Sequence, residues 1–154
     1  MQSSRNGDGL YQNLWSADNN VYTANDNLVV KTIYDPSPVG FKLPASNAFT
    51  GFTVTGEHAN NPSPYYVNGI WDSSLKGWNF YTDSSRNKTI FFPASGLRDY
   101  DGSVEYVDNY GYGWLAGPYS QENGSNLGFT PWSVTPLTNG GYRYYGMGVR
   151  PTHE

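Results

Sequence analysis

Between Gly113 and Arg150 the chain sets Tyr119, Trp132, Tyr142, Tyr144 and Tyr145 among Ser, Thr, Asn and Gly, interleaved with Trp114, Leu127, Phe129, Val134 and Val149. A phenol ring offers a large contact area for few rotatable bonds, and small polar neighbours add adaptable hydrogen bonds. Antibody combining sites use the same mixture. Such rings also suit stacking on the C–H faces of sugars. An aromatic-rich fold equally uses rings as core filling, so binding surface and core both remain open for these residues.

The acidic run from Asp99 through Asp101 and Glu105 to Asp108 has three readings. Asp99, Asp101 and Glu105 would supply oxygens to a calcium ion. Two of these carboxylates would serve as acid and base on a glycosidic bond. Or Asp101-Gly102 simply turns a solvated hairpin, the reading favoured because an EF-hand loop needs further oxygens and a Glu at its twelfth position. The two histidines, His58 and His153, lie in unrelated segments, without the helical spacing of a zinc hydrolase. There is no nucleophile elbow, phosphate-binding loop or dinucleotide fingerprint. Asn87-Lys88-Thr89 and Asn123-Gly124-Ser125 match the glycosylation sequon, which has meaning only in a eukaryotic secretory host. With no cysteine, thiol catalysis, disulfides and thiolate metal sites are excluded.

These residues need elements to position them. The 154-residue chain is long enough for one domain. Its 14% charged and 17% aromatic content, with 18 Gly and 10 Pro, excludes a disordered tail, a coiled coil or a helical bundle. A net charge of −4 and nine scattered basic residues leave no patch for phosphates or an anionic membrane surface. No apolar run reaches the length of a membrane span, and the polar opening lacks the apolar stretch of a signal peptide. Strands are predicted over 27–34, 67–71, 78–82, 89–92, 112–116, 126–129, 133–135 and 142–150. One or two helical turns are predicted over Pro44–Phe49, stopped by Gly51. Residues 1–27 read as an irregular wrap.

Several blocks then form an ordered series. Tyr34-Asp35-Pro36-Ser37-Pro38-Val39-Gly40-Phe41-Lys42-Leu43-Pro44 resembles the "YDPCPxGFKxP" signature of a bacterial surface-protein module. Gly77-Trp78-Asn79-Phe80-Tyr81-Thr82 and Ile90-Phe91-Phe92-Pro93-Ala94-Ser95-Gly96-Leu97-Arg98 resemble its middle blocks. The stretches 111–118 and 146–151 resemble its closing ones. The resemblance runs from Tyr34 to Pro151 and is to C-terminal modules of fimbrillin-type surface and pilus proteins and to the variable proteins of diversity-generating retroelements. It implies an α+β, C-type-lectin-like fold, strand- and loop-rich with one or two short helices, forming one domain over 1–154.

The resemblance also implies a non-enzymatic adhesin or receptor-binding domain with no cofactor and no metal, in which residues 113–151 bind the ligand and vary. The partner would be a protein or glycan on another cell, or subunits of a pilus or surface assembly. No nucleic acid and no direct membrane insertion are expected. The setting would be the cell surface or exterior, within a larger exported protein, or a phage virion. Leu115, Tyr119, Trp132, Ser133, Thr135, Asn139, Tyr142, Tyr144 and Tyr145 are the expected ligand-binding residues, and Val149 and Arg150 the scaffold. Adenine-directed mutagenesis of Asn codons yields Tyr, Ser, Thr, Gly, Asn or Leu. That fits Leu115, Tyr119, Ser133, Thr135 and the tyrosines, but not Gln121, Glu122, Trp132 or Met147. Two departures stand out: Ser37 and Pro151 occupy positions where relatives carry Cys, and the calcium-binding sugar motifs of animal C-type lectins are absent. A structural packing module and, more distantly, a glycan-active enzyme are the alternatives.

Overall fold

A computed structural model describes residues 15, 16, 28–120 and 122–154, with the side chain of Asn139 outside that description. The expected wrap over 1–27 therefore lies outside the described residues except for Trp15 and Ser16. Among these residues ten strands follow in order: β1 (Phe41–Lys42), β2 (Gly69–Asp72), β3 (Gly77–Tyr81), β4 (Thr89–Pro93), β5 (Leu97–Arg98), β6 (Val104–Glu105), β7 (Gly111–Pro118), β8 (Asn123–Thr130), β9 (Ser133–Tyr142) and β10 (Thr152–His153). They form antiparallel sheets ordered β2-β3-β4 and β7-β8-β9, with two-stranded ribbons β1-β10 and β5-β6.

This corrects the expected α+β class. Among the described residues the only helical element is one 3-10 turn, Thr50–Phe52. The turns before it close three residues apart, Ala48 N–H to Ala45 O (3.0 Å) and Thr50 N–H to Asn47 O (3.2 Å). The Asn47 carbonyl also accepts the Thr50 hydroxyl (3.0 Å), a side-chain bond that competes with helix extension. Ala116 N–H takes the Pro44 carbonyl (2.8 Å), tying the segment to β7. Phe49 and Phe52 then lie one above the other, with centroids 5.1 Å apart, as residues three apart do in a 3-10 turn.

Two other expected strands become loops. Residues 28–34 make one isolated bridge, Ser16 to Lys31. Only Val29 of their apolar residues is buried, while Leu28 and Ile33 are exposed. The Lys31 ammonium folds inward and donates to the carbonyls of Ser37 (2.6 Å), Pro38 (2.7 Å) and Phe41 (2.6 Å). The Asp35 carboxylate accepts Ser37 N–H and Leu43 N–H on the same loop. The stretch from Tyr142 to Arg150 is a turn followed by single bridges, Arg98 to Gly146 and Gly113 to Gly148.

The main core lies between the two large sheets. Phe52 stacks on Phe80 (3.8 Å), Phe80 meets Phe92 and Phe129 edge-on, and Leu115, Leu127 and Val134 close it from β7-β8-β9. Trp78 is buried among them, and its indole N–H donates to Thr130 O (2.9 Å), joining β3 to the end of β8. Side chains alternate along a strand, so Trp114 and Ala116 of β7 point to the other face. There they form a second core with Val29 and Leu43, flanked by Trp15, Tyr145, Met147 and Val149. The Trp114 ring lies over the backbone of Gly124 and Gly141, where an added Cβ would come within 2.8 Å and 3.0 Å of it. Gly141→Ala should therefore cost about 1–3 kcal/mol by overpacking, while Gly51→Ala, with open space around it, should change stability by no more than about 0.5 kcal/mol. Urea unfolding of the two variants checks both.

Candidate functional site

β8 and β9 form a long hairpin, and its geometry divides the expected binding residues. Trp132, 65% exposed, sits at the turn. Beside it Ser133 shares a hydroxyl hydrogen bond with Thr130 (2.9 Å), and the Thr135 hydroxyl lies 2.6 Å from His58 Nδ1. Tyr142 pairs with Asn123 at the opposite end, so Tyr142, Tyr144, Tyr145 and Tyr119 are roughly 25 Å from Trp132 at about 3.3 Å per residue. The residues fall into two groups rather than one patch. Leu115, at 0% exposure, packs in the main core and belongs to neither. Asn139 lies in β9, but its side chain is outside the described residues.

At the Tyr142 end, rings gather from three stretches of chain. Tyr142 and Tyr144 stack in parallel (5.1 Å, 6°), and Tyr145 meets both edge-on at 5.5 Å and 4.9 Å. Tyr100 caps Tyr144 edge-on (6.0 Å). Tyr106 packs against Tyr110, which stacks on Tyr112. That is seven of the chain's 14 tyrosines. Gly146 and Arg98 exchange both backbone hydrogen bonds (2.8 Å each), and this holds the Tyr142–Tyr145 turn beside the β5-β6 hairpin. Tyr119 is half-buried on the neighbouring loop, where its N–H donates to Asn123 O (3.1 Å). Arg143 holds that loop through Ser120 O (3.2 Å).

The rings enclose a cavity of about 320 Å³, at the lower end of the roughly 300–1,000 Å³ typical of small-molecule sites. Tyr106, Tyr110 and Tyr112 form one wall and Tyr145 another, while Asn126 and Thr138 contribute from the sheet. Among the described residues no charged side chain lines it. Asn126 is only 1% exposed. Its Nδ2 donates to Leu127 O (3.2 Å), and its Oδ1 has no hydrogen-bond partner among the described residues. Flipping the amide would set two acceptors against each other, so the Leu127 carbonyl fixes the orientation. A buried acceptor left unpaired costs about 1–3 kcal/mol.

The other candidate chemistries resolve as turns and struts. Asp99 to Ser103 closes the β5-β6 hairpin, with Gly102 N–H on Asp99 O (3.0 Å) and Gly102 at φ 88°, where a side chain would be strained. Asp101 accepts Ser103 N–H (2.9 Å), which lowers its pKa. Among the described residues no group of three or more His, Asp or Glu side chains is placed to hold a metal ion. His58 bridges Thr135 on one nitrogen and Asn60 Oδ1 (2.6 Å) on the other, fastening the hairpin to the 57–60 loop.

Sequence reasoning missed Tyr100, Tyr106, Tyr110, Tyr112 and Asn126. The alternation Tyr110, Tyr112, Trp114 does signal three rings on one face of a strand. No local signal marks Tyr100, which reaches the site through the Arg98–Gly146 pairing. No family model, no curated protein and no solved structure matches this chain.

Burial and the neighbouring phenols push the Tyr112 hydroxyl up to about 12. Burial, Tyr144 and the Asp99 charge push Tyr145 up to about 12 as well. The folded state thus holds both protons more tightly than the unfolded chain, whose phenols titrate near pH 10. The associated stability is intact below about pH 10 and is lost as pH rises toward about 12. Ultraviolet titration should show Tyr112→Phe and Tyr145→Phe each removing one late-ionising phenol.

Proposed function

We propose that this chain is a non-enzymatic ligand-binding domain, an adhesin or receptor-binding module of a surface protein or phage virion, whose partner is a protein or glycan on another cell. One observation carries the reading: seven tyrosines from three stretches converge on one face, with Tyr144 53% exposed and Tyr142 and Tyr100 also open to solvent. Clustered, partly exposed rings around a cavity are characteristic of recognition surfaces. The likeness of the blocks at 34–44, 90–98, 111–118 and 146–151 to surface-protein modules supports it.

A packing module that adds strands at its edge is less well supported. β9 is the edge of the larger sheet, but Pro136 removes a donor from it and two register shifts interrupt its pairing with β8. Both devices blunt strand addition.

Labelled protein applied to a panel of bacterial and animal cells tests the proposal. Tyr142→Ala with Tyr144→Ala should weaken cell binding by roughly 30-fold or more, the effect of losing a hot spot, while Trp132→Ala at the far end of the hairpin leaves it within about threefold. Binding that survives loss of both tyrosines would sink the proposal. Sequencing the gene across its source population adds a second check: substitutions confined to codons 119, 142, 144 and 145 would mark this face as the diversified one.

A further inference from the structure

We infer that the tyrosine face docks an arginine side chain of a protein partner, its guanidinium stacked on the phenol rings and paired with Asp99 and Glu105. The inference rests on the ligand-binding reading above and narrows the partner to a protein that presents an exposed arginine.

The β5-β6 hairpin supplies the geometry. Leu97 pairs with Glu105 and Arg98 with Val104, and Asp99 N–H continues the ladder to Ser103 O (2.9 Å). Alternation then sets Leu97, Asp99, Ser103 and Glu105 on one face of the hairpin. Leu97 lines the cavity from that face. Asp99 and Glu105 are diagonal neighbours there, at roughly 7–8 Å. Both are half-buried, while Tyr100, Asp101 and Val104 are exposed.

Charge and rings meet at the same place. Glu105, by its charge and a hydrogen bond, holds the Tyr106 phenol above its ordinary pKa, and Asp99 adds to the effect. Tyr145 is raised by burial and Tyr144, and then by Asp99. Tyr106 and Tyr145 stand on two walls of the cavity, so the carboxylates lie where the two groups of rings come together. Residues 98–108 carry four carboxylates against one guanidinium. That guanidinium, Arg98, belongs to the other hairpin face and donates to Gly102 O (2.6 Å). Arg143, on the tyrosine turn, reaches Ser120 O (3.2 Å).

Like charges held this close repel, and a cation set between them relieves it. A neutral sugar hydroxyl neutralises neither carboxylate, and an anion adds to the repulsion. A guanidinium meets both demands: its flat face stacks on a phenol while N–H groups on opposite edges reach carboxylates on either side. Its alkyl stem covers the exposed edges of Tyr106 and Tyr110. The chain makes this ring contact once within itself, where the Arg86 guanidinium lies 5.4 Å from the centre of the Tyr81 ring.

NMR titration of the full chain with the peptide acetyl-Gly-Arg-Gly-amide tests the inference. The comparison probes are the same peptide with citrulline, which keeps the shape and loses the charge, and the methyl glycosides of glucose and galactose. The arginine peptide should bind roughly fivefold tighter than the citrulline one, the combined effect of a ring contact and one partly exposed ion pair. Asp99→Asn with Glu105→Gln should bring the two peptides within about twofold of each other. Both substitutions keep an acceptor oxygen for Tyr100 N–H and the Ser103 hydroxyl, so the urea midpoint should hold. Asp72→Asn, at the end of β2, removes a charge elsewhere and should leave binding unchanged. The citrulline comparison is made on the parent protein and depends on no variant folding.

The inference is overturned if neither peptide binds, if arginine and citrulline peptides bind the parent alike, if the double variant still prefers arginine as the parent does, or if only a glycoside binds. Failure here is separable from failure of the broader reading. Cell binding that is lost with Tyr142 and Tyr144 but kept in Asp99→Asn with Glu105→Gln removes the arginine site and leaves the recognition surface standing. An arginine preference in a protein unable to stain any cell does the reverse.

Discussion

The β7-β8-β9 sheet is covered on both faces, and most of the molecule follows from that. Leu115, Leu127 and Phe129 serve the main core, while Trp114 and Ala116 serve a second one on the opposite side. A sheet enclosed in this way has little room for polar side chains that lack partners. Rings cross it only where the facing strand presents bare backbone, as Trp114 does over Gly124 and Gly141. Against this background Ser125 and Asn126 of β8 are exceptions, buried polar groups with Ser125 Oγ and Asn126 Oδ1 lacking hydrogen-bond partners among the described residues. Exceptions of that kind, kept at a cost in stability, tend to mark function.

Positioning at the site is done by backbone rather than by charge. Arg98 and Gly146 trade hydrogen bonds across a single bridge, and Trp114 N–H reaches Gly148 O (2.9 Å). These ties fix the closing segment against β5 and β7, so Tyr142, Tyr144 and Tyr145 are displayed from a braced turn. Three of the acidic groups are occupied elsewhere: Asp72, Asp83 and Asp101 each accept backbone N–H groups of their own turns. A recognition face built this way depends on shape and ring contact more than on long-range attraction.

Much of the sheet was legible from alternation. Trp78 and Phe80 are inward residues two apart, and β4, β7 and β8 begin or end within a few residues of the predicted runs. The helix over Pro44–Phe49 was not, because the outcome turned on Ala116 claiming the Pro44 carbonyl and on the Thr50 hydroxyl claiming that of Asn47. Neither contact is visible in local propensity. The strand expected at 27–34 failed for a similar reason, as its Lys31 bends toward carbonyls six to ten residues on. At the site, Tyr142, Tyr144 and Tyr145 could be picked out by composition. Their separation from Trp132 required knowing that β8 and β9 are paired along their length, and Leu115 required knowing which face of β7 it occupies.

The Lys31 ammonium has all three of its protons engaged by the carbonyls of Ser37, Pro38 and Phe41. An amine held in that way is withdrawn from acylating reagents, which need its lone pair. The other lysines are Lys42, Lys76 and Lys88, and none follows residue 88. The tyrosine turn and the two strands behind it thus contain no coupling point. Attachment to a bead, dye or sensor chip through lysine amines would fasten the domain at or before residue 88, outside the tyrosine turn and the two strands behind it.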